Sequence, residues 1–82
     1  MTDVIKLHIV SPERTLVEQV VSSVTLPGNI GPFMVLKNHA PIISSLGKGD
    51  IVYVSDGKES RISIQEGFAE VCDNQVDVCV EV

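Results

Sequence analysis

From residue 4 to residue 10 apolar and polar side chains alternate, with Ile5, Leu7 and Ile9 on one face and Lys6 and His8 on the other. A period of two predicts a half-buried strand. Ser11-Pro12-Glu13 predicts a turn, because proline fixes φ and has no N–H to give to a ladder. Leu16, Val17, Val20 and Val21 follow with polar spacers, and alternation returns through Val24 and Leu26, predicting two more short strands that end at Pro27-Gly28. Ile42 and Ile43 start another apolar segment, which Leu46-Gly47-Lys48-Gly49-Asp50 closes as a turn. Residues 51–54 and 60–64 flank Asp56-Gly57, a strong hairpin signal, in a register that sets Ile51 against Ile62 and Tyr53 against Ser60. Residues 67–72 and 75–81 predict a last hairpin about Asp73-Asn74, with Val71/Val76 and Ala69/Val78 on the core face. No helical period of useful length interrupts these strands, so the pattern predicts an all-β sandwich or barrel.

The stretch of residues 27–41 fits this pattern least. Pro27, Gly28, Asn29, Gly31, Pro32, Asn38 and Pro41 break it into turns, yet Ile30, Phe33, Met34, Val35 and Leu36 make it as apolar as a core strand. Its one charge is Lys37. An apolar loop of this kind either folds back onto the core or waits for a partner.

Composition supports the β reading, with 14 Val and 8 Ile against 2 Ala. The 82 residues suffice for one domain, 1–82, near the lower size at which a single core is enough. A net charge of −5 with six scattered bases leaves no footprint for nucleic acid or for direct lipid insertion. No apolar run reaches the ~18 residues of a membrane span, and Met1-Thr2-Asp3 lacks the basic start of a signal peptide, so a cytoplasmic protein is expected. In the last hairpin Cys72 faces Gln75 and Cys79 faces Phe68. Four strand residues, roughly 13 Å, then separate the two cysteines, beyond the ~7 Å reach of a disulfide, and two free thiols are expected.

The outward face of that hairpin sets Glu70 against Asp77 and Glu66 against Glu81, with Phe68 and Cys79 between. Such like-charge pairs are unfavourable by tenths of a kcal/mol to about 1 each. Two readings compete: a sheet edge whose charge blocks aggregation, and a docking face for a cationic partner centred on Phe68.

Catalytic chemistry finds little support. His39 sits in a turn with Asn38, Ala40 and Pro41, where packing or a backbone hydrogen bond is its ordinary role, and a hydrolase pairing it with Ser44 or Ser45 is the weakest reading. His8 falls on a solvent-facing strand position. The two Cys and two His show no metal-ligand spacing, and Gly28-Asn29-Ile30-Gly31 lacks the Gly-Lys-Ser/Thr ending of a phosphate loop. A non-catalytic protein without a cofactor is expected.

Four runs stand out in order: Ile9-Val10-Ser11-Pro12-Glu13, Val24-Thr25-Leu26-Pro27-Gly28 with Gly31 behind it, His39-Ala40-Pro41-Ile42-Ile43, and Glu66-Gly67-Phe68-Ala69-Glu70-Val71. In these runs and their order the chain resembles the epsilon subunit family of F-type ATP synthases. The resemblance implies a flattened sandwich of about ten short, mostly antiparallel strands in two sheets. It also implies a rotor subunit that couples proton flow to ATP synthesis, peripheral on the cytoplasmic face of the bacterial inner membrane. The implied partners are the gamma subunit, the c-ring and, through the complex, the catalytic alpha and beta subunits. Asn29, Ile30, Gly31, Pro32, Phe33 and His39 would face the c-ring, Ser11, Ile42, Ile43 and Phe68 would face gamma, and Val35 and Leu36 would form a short strand of the sandwich. Pro32 and Met34 stand where the family commonly has an acid and a glycine, so an apolar ring contact through Pro32 and Phe33 is expected. Val82 falls where many members begin a C-terminal helical hairpin, so the resemblance implies either a short form without that hairpin or the β-sandwich part of a longer subunit. The alternative is a free-standing β-sandwich binding module using the Phe33-Met34 loop.

Overall fold

Alternating apolar residues build nine strands in the computed structural model, which describes residues 3–82. Met1 and Thr2, part of the segment read as lacking a signal peptide, lie outside the described residues. The strands are β1 (Ile5–Val10), β2 (Thr15–Val21), β3 (Ser23–Leu26), β4 (Phe33–Val35), β5 (Ile42–Leu46), β6 (Gly49–Ser55), β7 (Lys58–Ile64), β8 (Glu66–Cys72) and β9 (Gln75–Glu81). One sheet has five strands in the order β2-β1-β9-β8-β5, and the other has four in the order β4-β3-β6-β7. The two sheets form the sandwich expected, in a flattened body of 32 × 23 × 17 Å.

The period of two holds where it was read. Ile5, Leu7 and Ile9 of β1 and Val76, Val78 and Val80 of β9 are buried, with Lys6, His8, Asp77 and Cys79 turned away from the core. Leu26, Val24 and Ile51 supply the opposite wall, all at 0% exposure. Each such side chain is worth about 1.5–3 kcal/mol when fully buried, and this shared layer is what holds the two sheets together.

Both predicted hairpin registers are observed, including Ile51–Ile62, Tyr53–Ser60, Phe68–Cys79 and Glu70–Asp77. The turn residues take left-handed backbone, with φ of 54° at Asp56, 76° at Gly57, 52° at Asp73 and 60° at Asn74. The edge strand β7 is shielded by Arg61, which meets Glu59 at 2.9 Å and Asp50 at 3.3 Å. The Glu59 hydrogen bond, then the one to Asp50, raises the guanidinium pKa.

Three expectations need correction. Leu46 to Asp50 is not one turn: β5 continues through buried Leu46, β6 begins at Gly49, and only Gly47 and Lys48 lie between these two strands. The short strand placed at Val35 and Leu36 is Phe33–Val35, set by pairing with β3, and Leu36 is 52% exposed outside it. The last hairpin is not a sheet edge. β9 pairs in parallel with β1, and β5 pairs with β8, so both hairpin strands are interior.

Candidate interaction surfaces

The sequence-predicted contact residues gather into three places. The first is the loop after β3. Asn29 N–H donates to Ser45 O at 3.2 Å, Gly47 N–H to Pro27 O at 2.8 Å and Gly31 N–H to Gly28 O at 3.1 Å. The Asn29 amide adds a 2.8 Å bond to Ser45 Oγ. These bonds fasten the loop to the end of β5, where Gly28 and Leu46 form an isolated bridge. The side chain it holds outward is Ile30, fully exposed, whereas Phe33 pairs with Leu26 and packs against the core. Asn29, Ile30, Gly31 and Phe33 share one depression with Ile42 and Ile43. The structure thus brings residues assigned to the ring side and to the gamma side against one another. Pro32 is exposed beside them, and Met34, at 54% exposure, faces outward opposite Thr25.

His39 stands apart, with Asn38, Ala40, Pro41, Asp73 and Asn74 around it. Asn38 and Asn74 form a reciprocal amide pair: Asn38 N–H donates to Asn74 Oδ1 at 2.6 Å, and Asn74 Nδ2 donates to Asn38 Oδ1 at 3.2 Å. Asn74 O also accepts from Lys6 N–H at 2.9 Å, so the His39 turn is tied to the β8–β9 tip and through it to β1. This pair escaped the sequence reading; the only signal was an asparagine in each of two turns, and Asn38 does take a φ of 65°. His39 Nδ1 lies 2.7 Å from Ala40 O, Ser44 Oγ donates to Ser45 O, and Ser45 Oγ accepts from Asn29. Neither serine is hydrogen-bonded to His39, so the arrangement offers no activated nucleophile.

The third place is the outer face of the five-stranded sheet, where Ser11 and Phe68 line a common groove. The Ser11 hydroxyl serves its own turn, accepting from Glu13 and Arg14 N–H at 3.3 Å each. Cys72 and Cys79 are free and exposed on this face. The charge of Asp73 raises the Cys72 pKa, with partial desolvation, a hydrogen bond to Asp73 and the charge of Glu70 adding to it. Since the thiolate is the nucleophile, Asp73→Asn is expected to speed alkylation of Cys72 at neutral pH. An unchanged rate by mass spectrometry would show that Asp73 does not control this thiol.

Residues 4–82 match the family described as the ATP synthase delta/epsilon chain β-sandwich domain. The ATP synthase epsilon chain of Maricaulis maris is 48% identical over 71 residues, covering 87% of this chain and 53% of that protein. The ATP synthase epsilon chain of Desulfitobacterium hafniense is 40% identical over 81 residues, covering 99% of this chain and 61% of that protein. The chain therefore spans between 53% and 61% of the length of these relatives. A chain of the Euglena gracilis mitochondrial ATP synthase, in a structure of its OSCP, F1 and c-ring, superposes with a TM-score of 0.88 at 27% identity, over 95% of this chain and 51% of that one.

Proposed function

Because the chain belongs to the family of ATP synthase delta/epsilon-chain β-sandwich domains, we propose that it is a non-catalytic central-stalk component of a proton-translocating F-type ATP synthase. It joins the gamma subunit to the c-ring on the cytoplasmic face of a bacterial inner membrane, and reaches the catalytic alpha and beta subunits only through the complex. The ring side comprises Asn29, Ile30, Gly31, Pro32, Phe33 and His39, and the gamma side Ser11, Ile42, Ile43 and Phe68.

The observation that carries this reading is Ile30, an isoleucine fully exposed at the tip of a loop that hydrogen bonds hold still. Holding an aliphatic side chain in water gains nothing for the isolated fold, whereas a rotor contact requires an apolar tip on a stiff support. The ring contact expected through Pro32 and Phe33 accordingly centres on Ile30, with Phe33 bracing the loop from beneath. Ile42 and Ile43 continue the same surface, so the ring side and gamma side share a border.

Synthase lacking the chain is expected to lose proton-driven ATP synthesis, and the wild-type chain to restore it. Ile30→Asp restores it poorly, binding the complex about tenfold more weakly, while its thermal unfolding is unchanged because the side chain touches no core. Coupling that persists without the chain would overturn the proposal.

A further inference from the structure

The outer face of the five-stranded sheet carries a groove of about 460 Å³ beneath the Ser11-Pro12 turn. Val10 pairs with Cys79 and Cys79 with Phe68, so these three side chains form a continuous apolar floor across β1, β9 and β8. Phe68 is 50% exposed there. Glu66 and Glu81, directly opposite one another, line the same groove, and Glu70 opposes Asp77 in the neighbouring row.

Edge protection does not account for these acids, because β8 and β9 are interior strands whose ladders are already occupied. Local neutralisation does not account for them either. Asp77 is met by His8 at 3.6 Å and by Gln75 at 3.2 Å, but among the described residues Glu66, Glu70 and Glu81 have no ion pair or side-chain hydrogen bond. No lysine or arginine follows Arg61 in the chain. Like charges facing across a ladder reduce stability, and an exposed phenyl group between them adds an apolar surface that remains wet in the free domain. A partner with the opposite charge around an apolar side chain relieves both costs.

We propose that this groove docks a protein segment that lays one large apolar side chain on Phe68 and Cys79 and directs flanking Arg or Lys to Glu66 and Glu81. The inference rests on reading this face as an interface, and it specifies the chemistry of whatever covers it.

The two native thiols report on it in the assembled synthase. Cys79 lies in the groove floor and Cys72 at the far end of the same face, opposite Gln75. Relative to the isolated full-length subunit, maleimide modification of Cys79 is expected to slow at least about tenfold on assembly, more than that of Cys72. Glu66→Lys with Glu81→Lys returns Cys79 towards its free rate, and the uncharged Glu66→Gln with Glu81→Gln pair does so partly, which guards against a variant that fails to fold. A photoreactive maleimide on Cys79 then captures the occupant at partial assembly. An apolar residue flanked by Arg or Lys in gamma supports this inference and the gamma-side assignment together. The same chemistry in another subunit supports the inference and overturns that assignment. Unprotected Cys79, protection insensitive to both charge variants, or capture of an acidic or uncharged segment or of a second copy of this chain overturns the inference.

Discussion

Leu26→Ala is expected to lower the midpoint of thermal unfolding by roughly 10–30 °C, from a loss of about 2–5 kcal/mol. Leu26 has no exposed surface and lies on β3, held between β4 and β6. It closes the inner layer where the two sheets meet, and the next residue, Pro27, begins the loop that carries Ile30. Truncation removes the transfer energy of the side chain and leaves a cavity that short, paired strands cannot close. A domain of this size has about 5–15 kcal/mol at most to lose, so the same change also loosens the loop. Calorimetry or circular dichroism measures the shift. A fall of less than roughly 4 °C would mean that the layer collapses around alanine.

Gly67→Ala is expected to cost about 1–3 kcal/mol, seen as a fall of roughly 5–20 °C in the same measurement. A Cβ at Gly67 would lie 2.6 Å from Cys79 O and 3.0 Å from Val80 Cγ1. The first neighbour is backbone of β9, which is bonded to β1 on its other side and has no room to yield. Gly31→Ala is the matched control: nothing lies within 4 Å of a Cβ there, and its effect should stay within about ±0.5 kcal/mol. Equal effects at the two glycines would remove the steric explanation.

What the amino-acid pattern made legible was local. The register from Glu66 to Glu81 followed from a turn at Asp73-Asn74 and a strict period of two, and each cross-strand pair was found where it was read. The same logic placed β6 against β7 through Asp56-Gly57. What it left open was which strands become neighbours across long stretches of chain. Alternation in β1 reads alike whether its partner is β2 or β9, so the parallel β1–β9 ladder carried no signal, and the last hairpin was open to being read as an edge. The apolar loop shows the same limit. Ile30 and Phe33 are equally hydrophobic on the page, and only the ladder between Phe33 and Leu26 decides that the aromatic ring turns inward and the isoleucine outward. The Asn38–Asn74 pair likewise joins two turns that are far apart in sequence.

The parallel pairing of β1 with β9 also bears on how the chain reaches its fold. On the ribosome, β1 is made well before its central neighbour β9, with seven strands between them. Until Gln75 to Glu81 emerge, Ile5, Leu7 and Ile9 have β2 on one side and the facing wall of Val24, Leu26 and Ile51, but the ladder on the other side of β1 stays unpaired. The local hairpins β6–β7 and β8–β9 form quickly, but inserting β9 beside β1 requires closing the seven intervening strands into a loop, and such non-local steps set slow rates. The nascent protein therefore carries an open ladder beside an apolar strand until β9 emerges, a period of aggregation risk that ends when that strand seals the sheet.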